Sequence, residues 1–166
     1  MKTILVTTDF SDSATNAVNY AAELASLTGA SLTLFHVYHI PVMVSDAPVV
    51  TAIPLEEIEA ESLNGLKKIE AELTLKYPTL KIDVSSRAGF ANDEIKELAN
   101  SNKYDLVVTG IKSGGKVPEF LGSTATAVAK NSTCPVLIVP NGAKFKKPEK
   151  IIFAFDYQEI KDPKDV

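Results

Sequence analysis

Ile4-Leu5-Val6 is a short apolar run that stops at Thr7-Thr8-Asp9. Continuous apolar character over so few residues predicts a strand buried on both faces, the habit of parallel sheets. Asp9, Ser11, Asp12 and Ser13 then offer side-chain oxygens for a helix start. Ala14, Ala17, Val18, Ala21 and Ala25 recur at helical spacing, with Ala22 and Leu24 widening the apolar face. Such small residues let a helix lie close to a sheet. Gly29 stands where a left-handed C-cap is wanted. Leu32, Leu34, Phe35 and Val37 form a second strand.

Residues 39–54 carry Pro41, Pro48 and Pro54 and no helical period, which predicts a long loop. From Leu55 to Lys76 the positions Ile58, Leu66, Ile69 and Leu73 predict a long amphipathic helix. Ile82-Asp83-Val84 reads as a more polar third strand near a sheet edge, and Asn92 as the cap of a helix that turns Ile95, Leu98 and Ala99 inward. Asp105 to Gly110 is a fourth strand. A loop with glycines and lysines spans residues 111–121, a helix runs from Gly122 to Asn131, and Val136 to Val139 is a fifth strand closed by Pro140.

Strands that alternate with helices predict an α/β fold. We expect a Rossmann-like three-layer sandwich around a five-stranded parallel sheet of order 3-2-1-4-5. Right-handed crossovers limit the topologies, and this order is the first choice among them. That order reverses the winding between the first and fourth strands, where ligands of such sheets bind. Asp9 and Gly110 close those two strands.

The last residues repeat the first. Beyond the basic stretch around Lys144, Lys146, Lys147 and Lys150 comes Ile151-Ile152-Phe153-Ala154-Phe155-Asp156-Tyr157, which matches Ile4 to Phe10 in apolar start, acid and following aromatic. The expected organisation is a domain over residues 1–140, a solvated linker over 141–150, and over 151–166 the start of a second, truncated copy in a tandem protein. The alternative is coincidence, since short strand-plus-acid patterns are common.

Composition narrows the function classes. The 166 residues are 45% hydrophobic and 23% charged, as in a globular domain, and the formal charge of −4 disfavours broad binding to nucleic acid or anionic membrane. One cysteine, Cys134, excludes an internal disulfide and a Cys-rich zinc site, and two histidines leave little for a catalytic metal. No apolar run approaches membrane-spanning length. The N-terminus reads as a strand running into an acid, not a signal peptide, and the cytoplasm is the expected compartment.

Taken together, Ile4 to Asp9, Leu34-Phe35-His36-Val37, Asp105 to Gly110, Leu121-Gly122-Ser123-Thr124 and Cys134 to Pro140 resemble the universal stress protein family over roughly residues 2–140. The resemblance implies a stress-response protein that binds ATP or another adenine nucleotide as a regulatory ligand, with magnesium as a companion ion. Nucleotide-binding members carry Gly, two residues, Gly, nine residues, then Gly-Ser or Gly-Thr. Gly110 and Gly122-Ser123 fit the ends of that pattern. Ser113 holds the middle glycine's place, Gly114 and Gly115 follow late, and the loop is one residue short. By the same resemblance Thr8, Asp9 and Val37 line the adenosine end, and the fifth strand pairs with its counterpart in a homodimer or tandem pseudo-dimer.

Glycines and a helix N-terminus suit a phosphate chain because backbone N–H groups can reach it. Gly110, Gly114, Gly115 and Gly122 form the candidate nest; Ser123 and Thr124 add hydroxyls, and Lys112 and Lys116 add charge. The competing reading is a flexible loop before a glycine-capped helix. Gly110 to Lys116 also spells a P-loop, but Val117 stands where a magnesium-binding hydroxyl is required and Pro118 follows. Asp9 either meets a ribose hydroxyl or metal or caps the first helix. His36 reads as structural, and His39 as the better ligand or acid–base candidate, though more readily solvent-exposed. Cys134 reads as a buried small residue. With no general base or nucleophile in view, slow ATP hydrolysis is the most that is expected. Two rivals stay open: a signalling or scaffold domain of the same fold without nucleotide, and an enzyme of the wider adenine-nucleotide α-hydrolase-like fold that transfers adenylyl or phosphoryl groups.

Overall fold

The structure, a computed structural model, describes residues 1–40, 54–111 and 123–152, and of Ser123 the backbone alone. Among the described residues five strands and four helices alternate: β1 (Thr3–Thr7), α1 (Asp12–Thr28), β2 (Ser31–Tyr38), α2 (Leu55–Lys76), β3 (Ile82–Ala88), α3 (Ala91–Ala99), β4 (Leu106–Ile111), α4 (Ser123–Asn131) and β5 (Val136–Pro140). The strands form one sheet of order β3-β2-β1-β4-β5, parallel throughout. This is the α/β sandwich and the strand order that the alternation predicts. In the central strand, Val6 lies in register with Leu34 on one side and Val108 on the other.

Period-two alternation divides the core between two layers. Ile4, Val6, Leu32, Leu34 and Val108 pack with the alanine face of α1 and with Leu66 and Leu73 of α2. Leu5, Phe35 and Val107 pack on the other face with Ile95 and Leu98 of α3 and Val128 of α4. The small residues of α1 do what their size allows: Ala17, Ala21, Ala22 and Ala25 are fully buried against the sheet. Gly29 caps α1 at φ 69°, a left-handed conformation.

Local chemistry moves several boundaries. Asn92 does not cap α3. Gly89, at φ 152°, turns the chain early, so the cap position falls to Phe90, which makes no side-chain bond, and Asn92 sits exposed in the first turn. The third strand runs on to Ala88 because β2 pairs with it to the end, Val37 beside Arg87 and Tyr38 beside Ala88; Arg87 also reaches Glu94 (3.1 Å) and Glu97 (2.9 Å) on α3. Asp105 lies just before β4, and its carboxylate accepts the backbone N–H groups of Lys2 and Thr3. Those bonds hold its carboxyl below the usual 3.8.

Past β5 the chain folds back over α1. Asn16 Nδ2 donates to the carbonyls of Pro140 and Ala143, each at 3.1 Å, and the ring of Phe145 stands edge-on to Tyr20 at 5.1 Å. The lysines of this stretch are exposed, but Ala143 and Phe145 are half-buried. Most of the long loop, the glycine-rich loop and the repeat beyond Ile152 lie outside the described residues.

Candidate functional site

The carboxyl ends of β1 and β4 point the same way because the strands are parallel. The chain leaves β1 for α1 on one face and leaves β4 for α4 on the other. A crevice opens where the two paths part. It is lined by both turns, by Phe35 and Val37 of β2, by Ala91 and Ile95 of α3, and by Thr124 of α4.

Each wall has its own chemistry. Phe35, Val37, Ala91 and Ile95 make an apolar side. The floor is polar: Thr7 and Thr109, both buried, meet across β1 and β4, and Thr7 Oγ1 donates to Thr109 Oγ1 at 3.1 Å. Thr109 keeps its own hydroxyl proton for another acceptor. Asp9, exposed at the rim, is the acid of the cleft.

The turn from β1 into α1 is tightly specified. Thr8 N–H donates to the Phe35 carbonyl (2.9 Å), its hydroxyl accepts from Phe10 N–H (3.0 Å), and its carbonyl accepts from His36 Nδ1 (2.8 Å). Phe10 sits at φ 62°, a conformation that costs a bulky residue ~1–2 kcal/mol. Asp9 does not cap α1 directly. Its carboxylate accepts from the backbone N–H and hydroxyl of Ser11, and Ser11 caps the helix through Ala14 N–H at 3.4 Å.

Gly110 has a tight structural reason to be glycine. A Cβ there would stand 2.4 Å from the Ser13 carbonyl oxygen. β4 therefore presses directly on the first turn of α1, where Ser13 and Gly110 both line the crevice.

The structure thus brings Thr8, Asp9, Val37, Gly110 and Thr124 around one cavity. Ser113, Gly114, Gly115 and Gly122, with Lys112 and Lys116, lie outside the described residues, as does the side chain of Ser123. Val37 both lines the cleft and packs on the core beside Phe35. His36 is pinned by Thr8 on the α2 side of the sheet. His39 is exposed, its ring 5.9 Å from that of Phe90, and does not line the cleft. Cys134 is buried, its thiol pushed up by desolvation and donating to the Tyr104 carbonyl at 3.3 Å. Such a thiol is a poor nucleophile. Sequence reasoning missed Thr7 and Thr109. Their signal was a polar residue at the carboxyl end of each of two otherwise apolar strands. Among the described residues no cluster of His, Cys, Asp and Glu could hold a metal ion, and no helix is long and apolar enough to cross a membrane.

Comparison with known proteins supports the same lineage. The profile of the universal stress protein family matches residues 1–140. The universal stress protein MJ0531 of Methanocaldococcus jannaschii is 31% identical over 155 residues, covering 90% of this chain and 84% of its own. The universal stress protein encoded in the QAH/OAS sulfhydrylase 3′ region of Thermus aquaticus is 34% identical over 140 residues, covering 83% of this chain and 98% of its own. Among solved structures, a universal stress protein in complex with cAMP superimposes with a TM-score of 0.62 at 26% identity, covering 84% of this chain and 97% of that one. Fold, sequence and strand-end geometry agree, and the chain belongs to the universal stress protein family.

Proposed function

We propose that this protein acts in the stress response by binding an adenine nucleotide, ATP among the candidates, as a regulatory ligand. One observation carries the reading. The turn after Asp9 and the turn at Gly110 open into a single crevice at the reversal of strand winding, with an apolar wall on one side and hydroxyls on its floor. The relative solved with cAMP holds an adenine nucleotide on the same fold.

The residues suit the ligand piece by piece. A planar base fits the apolar wall of Phe35, Val37, Ala91 and Ile95. The Thr109 hydroxyl and the Asp9 carboxylate supply a donor and an acceptor for base edge or ribose. Thr124 sits in the first turn of α4, where N–H groups unpaired within the helix favour phosphate. Among the described residues Asp9 is the single carboxylate lining the cleft, and magnesium would be shared between it and the ligand's phosphates.

A second reading, a scaffold domain of this fold without nucleotide, rests on Ser113 in the place of the middle motif glycine and on the short loop. Calorimetric titration of ATP and AMP into the purified chain, paired with a phosphate-release assay, separates the readings. Saturable binding without rapid turnover is the expected result. Absence of heat at millimolar ligand supports the scaffold, and fast turnover supports a transferase.

The assembly we propose is a homodimer or tandem pseudo-dimer through Val136 to Val139, in the cytoplasm. β5 closes the sheet, and no strand among the described residues pairs with its outer edge. Bare apolar edges are seldom left open. Sedimentation showing only monomer at high protein concentration contradicts this. The match of Ile151 to Tyr157 with Ile4 to Phe10 supports a tandem gene, which a stop codon directly after Val166 would exclude.

A further inference from the structure

We propose that Phe10, His36 and Gly65 are positioning residues of the crevice, and that they set the Thr8–Asp9 turn from the opposite face of the sheet. The inference rests on the nucleotide reading for its affinity readout only.

Successive side chains of β2 point to opposite faces. Phe35 and Val37 face the crevice, and His36 between them faces α2. From there its Nδ1 lies 2.8 Å from the Thr8 carbonyl oxygen. A carbonyl can only accept, so Nδ1 carries the proton and the tautomer is set. The imidazole also supports the ring of Phe10, with centroids 4.4 Å apart. On α2 the ring is met by Gly65, where a Cβ would stand 2.8 Å from the Phe10 Cζ.

Phe10 sits at φ 62°, a left-handed conformation, although it is a bulky aromatic residue. Glycine or asparagine takes that conformation readily, and phenylalanine does not. The seat between His36 and Gly65 supplies the reason. Seated there, Phe10 donates its N–H to the Thr8 hydroxyl at 3.0 Å. Thr8 and Asp9 both line the crevice. The ring's seat on α2 thereby fixes two residues that face the ligand, although Phe10, His36 and Gly65 themselves lie outside the crevice lining. A shift of α2 at Gly65 would move the turn.

The test uses the whole chain and AMP as probe, with amide resonances followed by NMR. In Gly65→Ala the added methyl evicts the ring. We expect the Thr8 and Asp9 amides of the ligand-free protein to shift and the AMP Kd to rise about tenfold, with thermal stability close to wild type. His36→Leu, which removes the donor, should act alike. His36→Asn, whose amide nitrogen can occupy the Nδ1 position, should recover most of the affinity, a recovery that a purely packing role would not produce. Unchanged Thr8 and Asp9 amides in both Gly65→Ala and His36→Leu would overturn the proposal, as would an unchanged Kd in Gly65→Ala. If the wild type binds no AMP, the nucleotide reading fails. The free-protein amides then still decide the positioning claim: shifted supports it, unmoved refutes it.

Discussion

Gly110 shows how one residue can serve two demands. Read along the chain, it is the first glycine of a phosphate-binding pattern. In the fold its missing side chain admits the carbonyl of Ser13, which would lie 2.4 Å from a Cβ. Backbone cannot yield as a flexible side chain can, so Gly110→Ala should destabilise the protein by about 1–3 kcal/mol in urea denaturation. A variant of wild-type stability would show that the close approach is not needed. Thr109 makes a separate case at this scale. Thr109→Val keeps the shape but leaves the Thr7 hydroxyl without its buried acceptor. A loss of about 1–3 kcal/mol in stability and weaker nucleotide binding are expected, measured by denaturation and calorimetry. Binding at wild-type strength would remove Thr109 from the ligand-reading set.

At the scale of elements, ends matter more than middles. Ser11→Ala should cost α1 about 1 kcal/mol, read from the unfolding midpoint, because Ser11 rather than Asp9 meets the helix N–H groups. Asp105 ties the chain start to β4 through the N–H groups of Lys2 and Thr3, which lower its pKa in the folded state. A carboxyl with a depressed folded value contributes stability that is full above its unfolded value and lost as pH falls through the folded one. The stability advantage of wild type over Asp105→Asn should therefore hold at neutral pH and shrink below about pH 4. Thermal melts across that range check the sign, and an advantage that grows on acidification contradicts it. The middles of elements were legible from residue pattern alone: the alanine stripe of α1, the apolar runs of β1 and β4, the long period of α2. The ends were not. They depend on partners far along the chain, as when pairing with β2 carries β3 on to Ala88, or on a turn such as Gly89 that removes Asn92 from the cap.

For the molecule as a whole, topology is what turns scattered residues into a site. Thr8, Val37, Gly110 and Thr124 are far apart in sequence, yet parallel pairing and right-handed crossovers leave them few other places to meet. Strand alternation made that much readable in advance. The threonine floor and the brace on Thr8 were not readable, because each is a side-chain contact across strands and depends on register. Thr7 meets Thr109 only because Leu5 lies opposite Val107 in the β1–β4 ladder. The same topology places the whole crevice at one end of the sheet. The most direct measurement is amide chemical-shift mapping of the chain during titration with AMP. Saturable shifts concentrated at Thr8, Asp9, Val37, Gly110 and Thr124, with the opposite end of the sheet around Lys2, Ser31 and Lys81 unmoved, are the predicted result. Saturable shifts centred at that opposite end, or none at millimolar AMP, would contradict the account.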